Sequence, residues 1–250
     1  MGALIPETFC RAINVNHVFG GPPYYNQRLY ANWQNNEDYL RDMSTIMRNC
    51  NEILGGGSVI AWNIANGSKM DHISHHSCLF EEIGFQYVDT IAWIKSGANF
   101  DIKRSCHITT TGHYYPALQW EAILVYKKHG PMPKMDSQGQ EYMRRFQTNV
   151  WEVTQVILQG EKFKHPAVCP VEIPYRCIQS YTKKGETVFE PFGGSGTTLI
   201  AAEMAGRSAF LMEQHPAYCD AIIQRWEQLT GKQAKLLGNI SHQNGQLHSP

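Results

Sequence analysis

The sequence predicts a single α/β domain with a mostly parallel central sheet and helices on both faces. Two observations carry that expectation. The apolar run Val188-Phe189 ends in Glu190-Pro191-Phe192-Gly193-Gly194-Ser195-Gly196 and opens directly into Thr197-Thr198 and a helix-compatible stretch to Ala205, the order strand, tight turn, helix. Outside 96–118, 129–148 and the last residues, short apolar runs alternate with segments of helical period. A chain of this length buries a full core as one domain and needs no second.

Taken in order, Ala12 to Phe19 reads as a strand that delivers Gly21-Pro22-Pro23-Tyr24 at its carboxyl end, where open α/β sheets place ligands. Tyr39 to Leu54 has helical period and is expected to stop at Gly55-Gly56-Gly57, with Ser58 to Trp62 the next strand. Lys69 to Gly84 reads as a helix and Tyr87 to Ile94 as a strand. Residues 96–118 lack a period, are rich in Gly, Ser, Thr and His, and are expected to form a long loop. Glu121 to Tyr126 is again strand, and 129–148 is polar, with Gly130-Pro131 and Pro133 at its start. Val171 to Lys183 is a helix before the strand at 188. Ala209 to Met212 is a strand that closes on Glu213, and Pro216 to Leu229 is the last helix. Residues 238–250 are polar and without period, an expected disordered tail.

The turn at 190–198 has the chemistry of a ligand site. Glycines 193, 194 and 196 permit positive φ and remove Cβ atoms from a ligand's path, and the following helix turns free N–H groups and its positive dipole end on that turn. Glu213 follows Glu190 by about 20 residues, the place from which doubly wound folds hold ribose hydroxyls. The turn is not a P-loop, because Gly196-Thr197-Thr198 has no lysine for the outer phosphates of a nucleotide. A nucleoside without a phosphate chain is the ligand it fits.

Composition narrows the rest. Lysines plus arginines and aspartates plus glutamates number 22 each, for a net charge of zero. The chain is therefore no general polyanion binder, and any nucleic-acid contact needs local positive potential. No apolar stretch approaches the roughly 20 residues that span a bilayer, and the amino-terminal residues lack a signal pattern, so a cytoplasmic location is expected. The seven cysteines are scattered without a Cys-x-x-Cys pair and read as reduced thiols. Asp71-His72-x-x-His75-His76-x-Cys78 places residues 72, 75 and 76 at one helix face. Without a distant second ligand pair it reads as a polar helix face, and no metal is expected. Trp33, Trp62 and Trp93 read as core or rim residues.

Glu190-Pro191-Phe192-Gly193-Gly194-Ser195-Gly196-Thr197-Thr198 resembles the Asp-Pro-Phe-x-Gly-Ser-Gly-Thr-Thr signature of the amino-group DNA methyltransferases, which modify adenine N6 or cytosine N4. Gly21-Pro22-Pro23-Tyr24 resembles that family's catalytic Asp/Asn/Ser-Pro-Pro-Tyr loop, and its place before the cofactor motif matches the permuted, β-type order. Trp93-Ile94-Lys95, the strand from Glu121 to Lys127 and His165-Pro166-Ala167 are similar to further family segments, so the likeness covers about residues 13–237. It implies a Rossmann-like S-adenosylmethionine-dependent methyltransferase fold, with a catalytic half at about 13–127 and a cofactor half at about 150–237. The implied cofactor is S-adenosylmethionine, held by His165, Glu190, Phe192, Gly194, Ser195, Gly196, Thr197, Thr198 and Glu213. The implied substrate is double-stranded DNA with the target base flipped out, in a bacterial or phage-infected cell. Pro22 would offer a carbonyl to the amino group and Tyr24 a stacking face. A cytosine-C5 enzyme would need a Pro-Cys nucleophile, whereas Cys169-Pro170 has the reverse order.

Two departures from the family pattern matter. Gly21 stands where the family carries a side-chain acceptor. If nothing replaces it, the loss of one transition-state hydrogen bond costs on the order of 3 kcal/mol, or about a hundredfold in rate. That leaves a catalytically impaired cofactor- and DNA-binding protein as the alternative, with Asn26 the nearest polar candidate in sequence. Glu190 replaces aspartate and keeps its charge. Base recognition is assigned to segments 96–118, with Lys103, Arg104, His107, His113, Tyr114 and Tyr115, and 127–148, with Lys127, Lys128, His129, Lys134, Arg144 and Arg145. The sequence leaves open adenine versus cytosine, a restriction partner, and whether the protein forms a homodimer.

Overall fold

A computed structural model describes residues 14–25, 33–67, 70–96, 107–108, 112–116, 118–154 and 168–238. In chain order these form β1 (Val15–Gly20), α1 (Asn36–Ile53), β2 (Leu54–Ile64), α2 (His72–Ile83), β3 (Gln86–Ser96), β4 (His107–Ile108), β5 (Tyr114–Tyr115), β6 (Trp120–Lys127), α3 (Ser137–Met143), β7 (Val150–Thr154), α4 (Glu172–Tyr181), β8 (Thr187–Glu190), α5 (Thr197–Ala205), β9 (Ser208–Leu211) and α6 (Pro216–Thr230). The main sheet has the order β7-β3-β6-β2-β1-β8-β9, and β4 pairs with β5 in a small hairpin.

Strand β6 runs antiparallel to both its neighbours, while the pairs β1–β2, β1–β8, β8–β9 and β3–β7 are parallel. The carboxyl ends of six strands and the amino end of β6 therefore meet along one edge. That edge carries the loops after β1, β2, β8 and β9, together with Lys95 near the end of β3 and Glu121 near the start of β6.

Alternation along the strands divides the core between two faces. On one face Val18, Ile60, Trp62, Leu124 and Tyr126 pack beneath Tyr39, Met43, Met47 and Phe80 of α1 and α2. On the other, Phe19, Ala61, Ile91, Trp93, Ile123 and Val125 pack with Ile173 and Cys177 of α4. Val188, Ile178 and the alanines of α5 form a third cluster. Trp62 and Trp93 are buried and Trp33 packs at the edge of the first cluster, as the sequence indicates. Among the described residues no helix is long and apolar enough to cross a membrane.

Several boundaries differ from the sequence reading. Helix α1 starts three residues early because the Asn35 side chain accepts the Asp38 N–H, an N-cap. The glycines expected to stop it lie inside β2. The helix ends at Ile53, and Gly57, at φ 81°, lets the 129–131 segment approach so closely that a Cβ there would sit 2.0 Å from the Pro131 oxygen. Helix α2 begins at His72, after the Asp71 cap. Within the expected loop 96–118, residues 107–108 and 114–115 pair as β4 and β5. Helix α3 and strand β7 have no counterpart in the sequence reading. The start of the strand expected from Ala12, and residues 239–250 of the expected tail, lie outside the described residues.

Candidate active site

The loop that follows β1 is fixed from beneath by an aromatic stack. Gly20 lies against the Trp62 indole so closely that a Cβ would meet Cε3 at 2.4 Å. The indole N–H donates to His76 Nδ1 at 2.9 Å, which leaves the proton of neutral His76 on Nε2, 3.0 Å from the Tyr39 hydroxyl. Tyr39 donates in turn to the Pro23 carbonyl at 3.1 Å. A line of hydrogen bonds thus runs from the core to the second proline and occupies that proline's carbonyl.

The expected polar helix face is therefore wrong in part. His72 and His76 are fully buried beside Tyr39, whereas His75 and Cys78 are exposed. Burial lowers the pKa of His76 to about 3 and of His72 to about 4, so both are neutral near pH 7. Both ring nitrogens of His76 are spent on internal hydrogen bonds, whereas those of His72 have no hydrogen-bond partner among the described residues.

Tyr24 turns inward. Its hydroxyl donates to Glu121 Oε2 at 3.1 Å, and its ring lies 5.6 Å from that of His72. Burial first, and then the Glu121 charge, raise its pKa, so it stays a phenol. Glu121 also accepts from Asn63 Nδ2 at 2.6 Å and pairs with Lys95 at 2.7 Å, both members of that ion pair being 11% exposed. Three strands contribute to this cluster, with Asn63 from β2, Lys95 from β3 and Glu121 from β6. Sequence reasoning singles out none of the three as a functional residue. The available signal is a charge near the inner end of an otherwise apolar strand.

The turn after β8 adjoins this loop because β1 and β8 are paired neighbours. Gly194 and Gly196 take φ of 52° and 76°, values open to glycine. The Glu190 carboxylate is 4% exposed and accepts from the Phe192 N–H, the Thr198 hydroxyl and, across the strand pair, the Gly21 N–H. Burial lifts its pKa to about 8 against those three donors, and the Glu213 charge adds to the rise. Phe192 sets its ring edge-on to Trp62, at 5.6 Å. Glu213 accepts from the Gly194 N–H at 2.7 Å and the His215 N–H at 2.8 Å. Ser195 and Thr197 share a hydroxyl contact of 3.0 Å, and Arg225 of α6, a residue the sequence does not flag, donates to the Ser195 carbonyl.

The amino end of α5 has no side-chain cap, and a Cβ on Gly193 would crowd the Met212 oxygen at 3.1 Å. An uncapped helix start beside the Glu213 carboxylate and the buried Glu190 carboxyl group fits a nucleoside that carries ribose hydroxyls and an anionic end. The Gly21 N–H on Glu190 joins the loop after β1 to the turn after β8. His165 and Asn26 lie outside the described residues.

The sequence profile of DNA methylases of the N6/N4 class matches residues 15–225, which hold both loops and all the strands. This chain belongs to that DNA methylase family. The Type II beta methyltransferase M.BslI of Bacillus sp. (strain NEB-606) is 27% identical to it over 86% of the chain, which spans 25% of that longer relative. The orphan methyltransferase M.BamHII of Bacillus amyloliquefaciens is 25% identical over 82% of this chain and 85% of its own length. The S-adenosyl-L-methionine complex of TTHA0409 from Thermus thermophilus matches with a TM-score of 0.66 at 21% identity, over 89% of this chain and 92% of that one. The cytosine-N4-specific PvuII DNA methyltransferase matches with a TM-score of 0.68 at 18% identity, over 89% and 86%. These structural likenesses show a common fold.

The two segments assigned to DNA recognition adjoin β6 at opposite edges of the sheet. Tyr114, Leu118 and Trp120 are exposed where the chain enters β6 at the site edge. Segment 127–148 instead leaves β6 at the opposite edge. Lys127 is turned onto the Gly130 carbonyl, and Lys128 onto the carbonyls of Asn51 and Leu54 at the end of α1. Those two lysines neutralise backbone dipoles of this chain rather than face phosphate.

Proposed function

We propose that this family member transfers the methyl group of S-adenosylmethionine to an exocyclic amino nitrogen, adenine N6 or cytosine N4, of a base turned out of duplex DNA. The observation that supports this reading most is the Glu190 carboxylate. It binds the Gly21 N–H of one loop and the Phe192 N–H and Thr198 hydroxyl of the other, so an amino group held by the first loop sits beside a ligand held by the second.

When bound, S-adenosylmethionine supplies a methyl group on a sulfonium: the amino lone pair forms the N–C bond, the C–S pair stays on sulfur, and the nitrogen releases one proton to solvent. The protein's part is to place and polarise the amino group. Pro22 lies between two positions without a competing N–H, its own and that of Pro23. With the Pro23 carbonyl taken by Tyr39, the Pro22 carbonyl is the loop's acceptor for the amino group. Tyr24, held by Glu121 through its hydroxyl, presents its ring to the extruded base. Glu213 supports ribose hydroxyls and the α5 amino end holds the anionic group of the methionine moiety. A DNA substrate implies a cytoplasmic location.

Incubation with labelled S-adenosylmethionine and unmethylated bacterial DNA, followed by nucleoside digestion and mass spectrometry, tests the proposal. N6-methyladenine or N4-methylcytosine is the expected product; label on cytosine C5 refutes it. A second reading, a cofactor- and DNA-binding protein without appreciable turnover, is favoured by Gly21, beside which a Cβ would find nothing within 4 Å. Cofactor binding with no labelled base would establish it.

A further inference from the structure

We propose that Asn63 supplies the side-chain acceptor for the substrate amino group that Gly21 lacks, an inference that rests on the methyl-transfer reading above. Gly20 pairs with Trp62 across the parallel β1–β2 ladder. Asn63 is the next residue on β2 and so lies level with Gly21. Trp62 faces the α1–α2 side, so Asn63 projects to the opposite face, toward Glu121.

The Asn63 amide has its orientation set. Nδ2 donates to the Glu121 carboxylate at 2.6 Å, and that carboxylate is held by Lys95 at 2.7 Å and by the Tyr24 hydroxyl at 3.1 Å. An anion beside the amide selects its N–H end, so Oδ1 faces away from Glu121. Asn63 is 7% exposed, and Oδ1 has no hydrogen-bond partner among the described residues. A buried acceptor without a donor is costly and calls for an explanation. An N–H of the substrate amino group supplies the missing donor. Tyr24, from the loop that carries Pro22, reaches the same Glu121 carboxylate, so Asn63 lies one side chain from that loop.

A neutral amide oxygen suits the reaction. With one amino hydrogen on the Pro22 carbonyl and the other on Asn63 Oδ1, the nitrogen lone pair is turned out of conjugation with the ring, and no proton need leave before transfer. The loss in rate expected from Gly21 is thereby offset by the neighbouring strand.

The test is Asn63→Ala, assayed for methyl transfer to DNA with S-adenosylmethionine binding measured on the same sample. An approximately hundredfold fall in kcat with cofactor affinity within threefold of wild type is expected. In the Asn63→Ala background, Gly21→Asp is expected to restore at least tenfold of the loss, since its side chain enters open space. A kcat within threefold of wild type for Asn63→Ala, or no recovery in the double variant, overturns the assignment. If Asn63→Ala does not bind cofactor, the comparison passes to Asn63→Leu, which shares its shape and lacks the acceptor. A kcat of Asn63→Leu within threefold of wild type overturns the proposal. Wild-type protein that transfers no methyl group to any DNA base overturns the functional reading as a whole, whereas turnover that survives loss of Asn63 overturns this inference alone.

Discussion

Gly20→Ala adds one carbon at a place where the structure has no room for it. The new Cβ would lie 2.4 Å from Cε3 and 2.5 Å from Cζ3 of Trp62, about 1 Å inside a normal carbon contact. The indole is a poor candidate to yield. It is fully buried, its N–H is bonded to His76, and its ring edges meet Phe80 and Phe192 at 5.7 and 5.6 Å. Overpacking of this kind costs about 1–3 kcal/mol, and loosening the Trp62–His76 bond adds about 1 kcal/mol. At about 2–4 °C per kcal/mol for a domain of this size, the melting temperature should fall by on the order of 10 °C. If the loop gives way instead of the ring, a displacement of about 1 Å at Pro22 costs roughly a hundredfold in rate. Gly21→Ala is the control for stability, because its Cβ meets nothing within 4 Å and the change should stay within about 0.5 kcal/mol. Thermal melts of both variants, with methyl transfer assayed well below either transition, decide the matter. A Gly20→Ala protein that melts within about 1 °C of wild type and turns over normally would refute the claim that Trp62 sets the height of the loop.

Three further outcomes are expected. Between about pH 8 and 6.5 the folded Glu190 takes up a proton that its unfolded counterpart does not hold, so stability rises as pH falls, by roughly 2 kcal/mol. Below about pH 6.5, His17, His72 and His76 protonate in the unfolded chain but stay neutral when folded, down to about 4, 4 and 3. Three such protons outweigh the one on Glu190, so stability then falls by roughly 3 kcal/mol per pH unit; urea titrations should peak near pH 6.5, and a peak above pH 8 contradicts the assignment. Asp136→Ala removes the cap of α3 and the acidic partner of buried Arg207, and should cost about 2–3 kcal/mol by denaturant titration. Asp136 acts at the edge away from the site, so the rate at low temperature should hold; a rate loss without destabilisation would contradict that placement. Glu213→Ala should weaken S-adenosylmethionine binding by about ten- to a hundredfold by calorimetry, the value of a charge-assisted hydrogen bond, and unchanged affinity rules out its ribose role.

What the sequence reveals and what it hides divide along a physical line. The turn at 190–198 is legible because its properties are local: glycines that take positive φ, a helix that starts at Thr197, and an acid at the end of the next strand. Helix α3 is hidden because its support is tertiary. It has seven residues, its cap Asp136 is shared with the Lys184 N–H and Arg207, and Gly139 lets it approach the Gln179 carbonyl. Strand β7 does alternate, with Trp151 and Val153 inward, but five residues between a polar segment and the cofactor half give a weak period. His72 and His76 look polar in sequence because histidine's character depends on its surroundings: enclosed by Tyr39, Trp62 and each other, they are neutral core residues. The cluster of Asn63, Lys95 and Glu121 has no spacing to find, since an antiparallel strand brings its start to the place where its neighbours end.

The pairing of β1 with β8 has a consequence for how the protein is made. Asn16 and Thr187, bonded across this pair, are 171 positions apart, so β1 has to wait for a partner that emerges from the ribosome on the order of 10–30 s later at about 5–20 residues per second. Throughout that interval a strand that is almost wholly buried in the finished protein keeps one edge unpaired, open to the same strand of another nascent chain. Pairing of that edge with another chain competes with folding for the length of that window. The loop after β1 likewise meets the turn at 190–198 only when β8 joins the sheet.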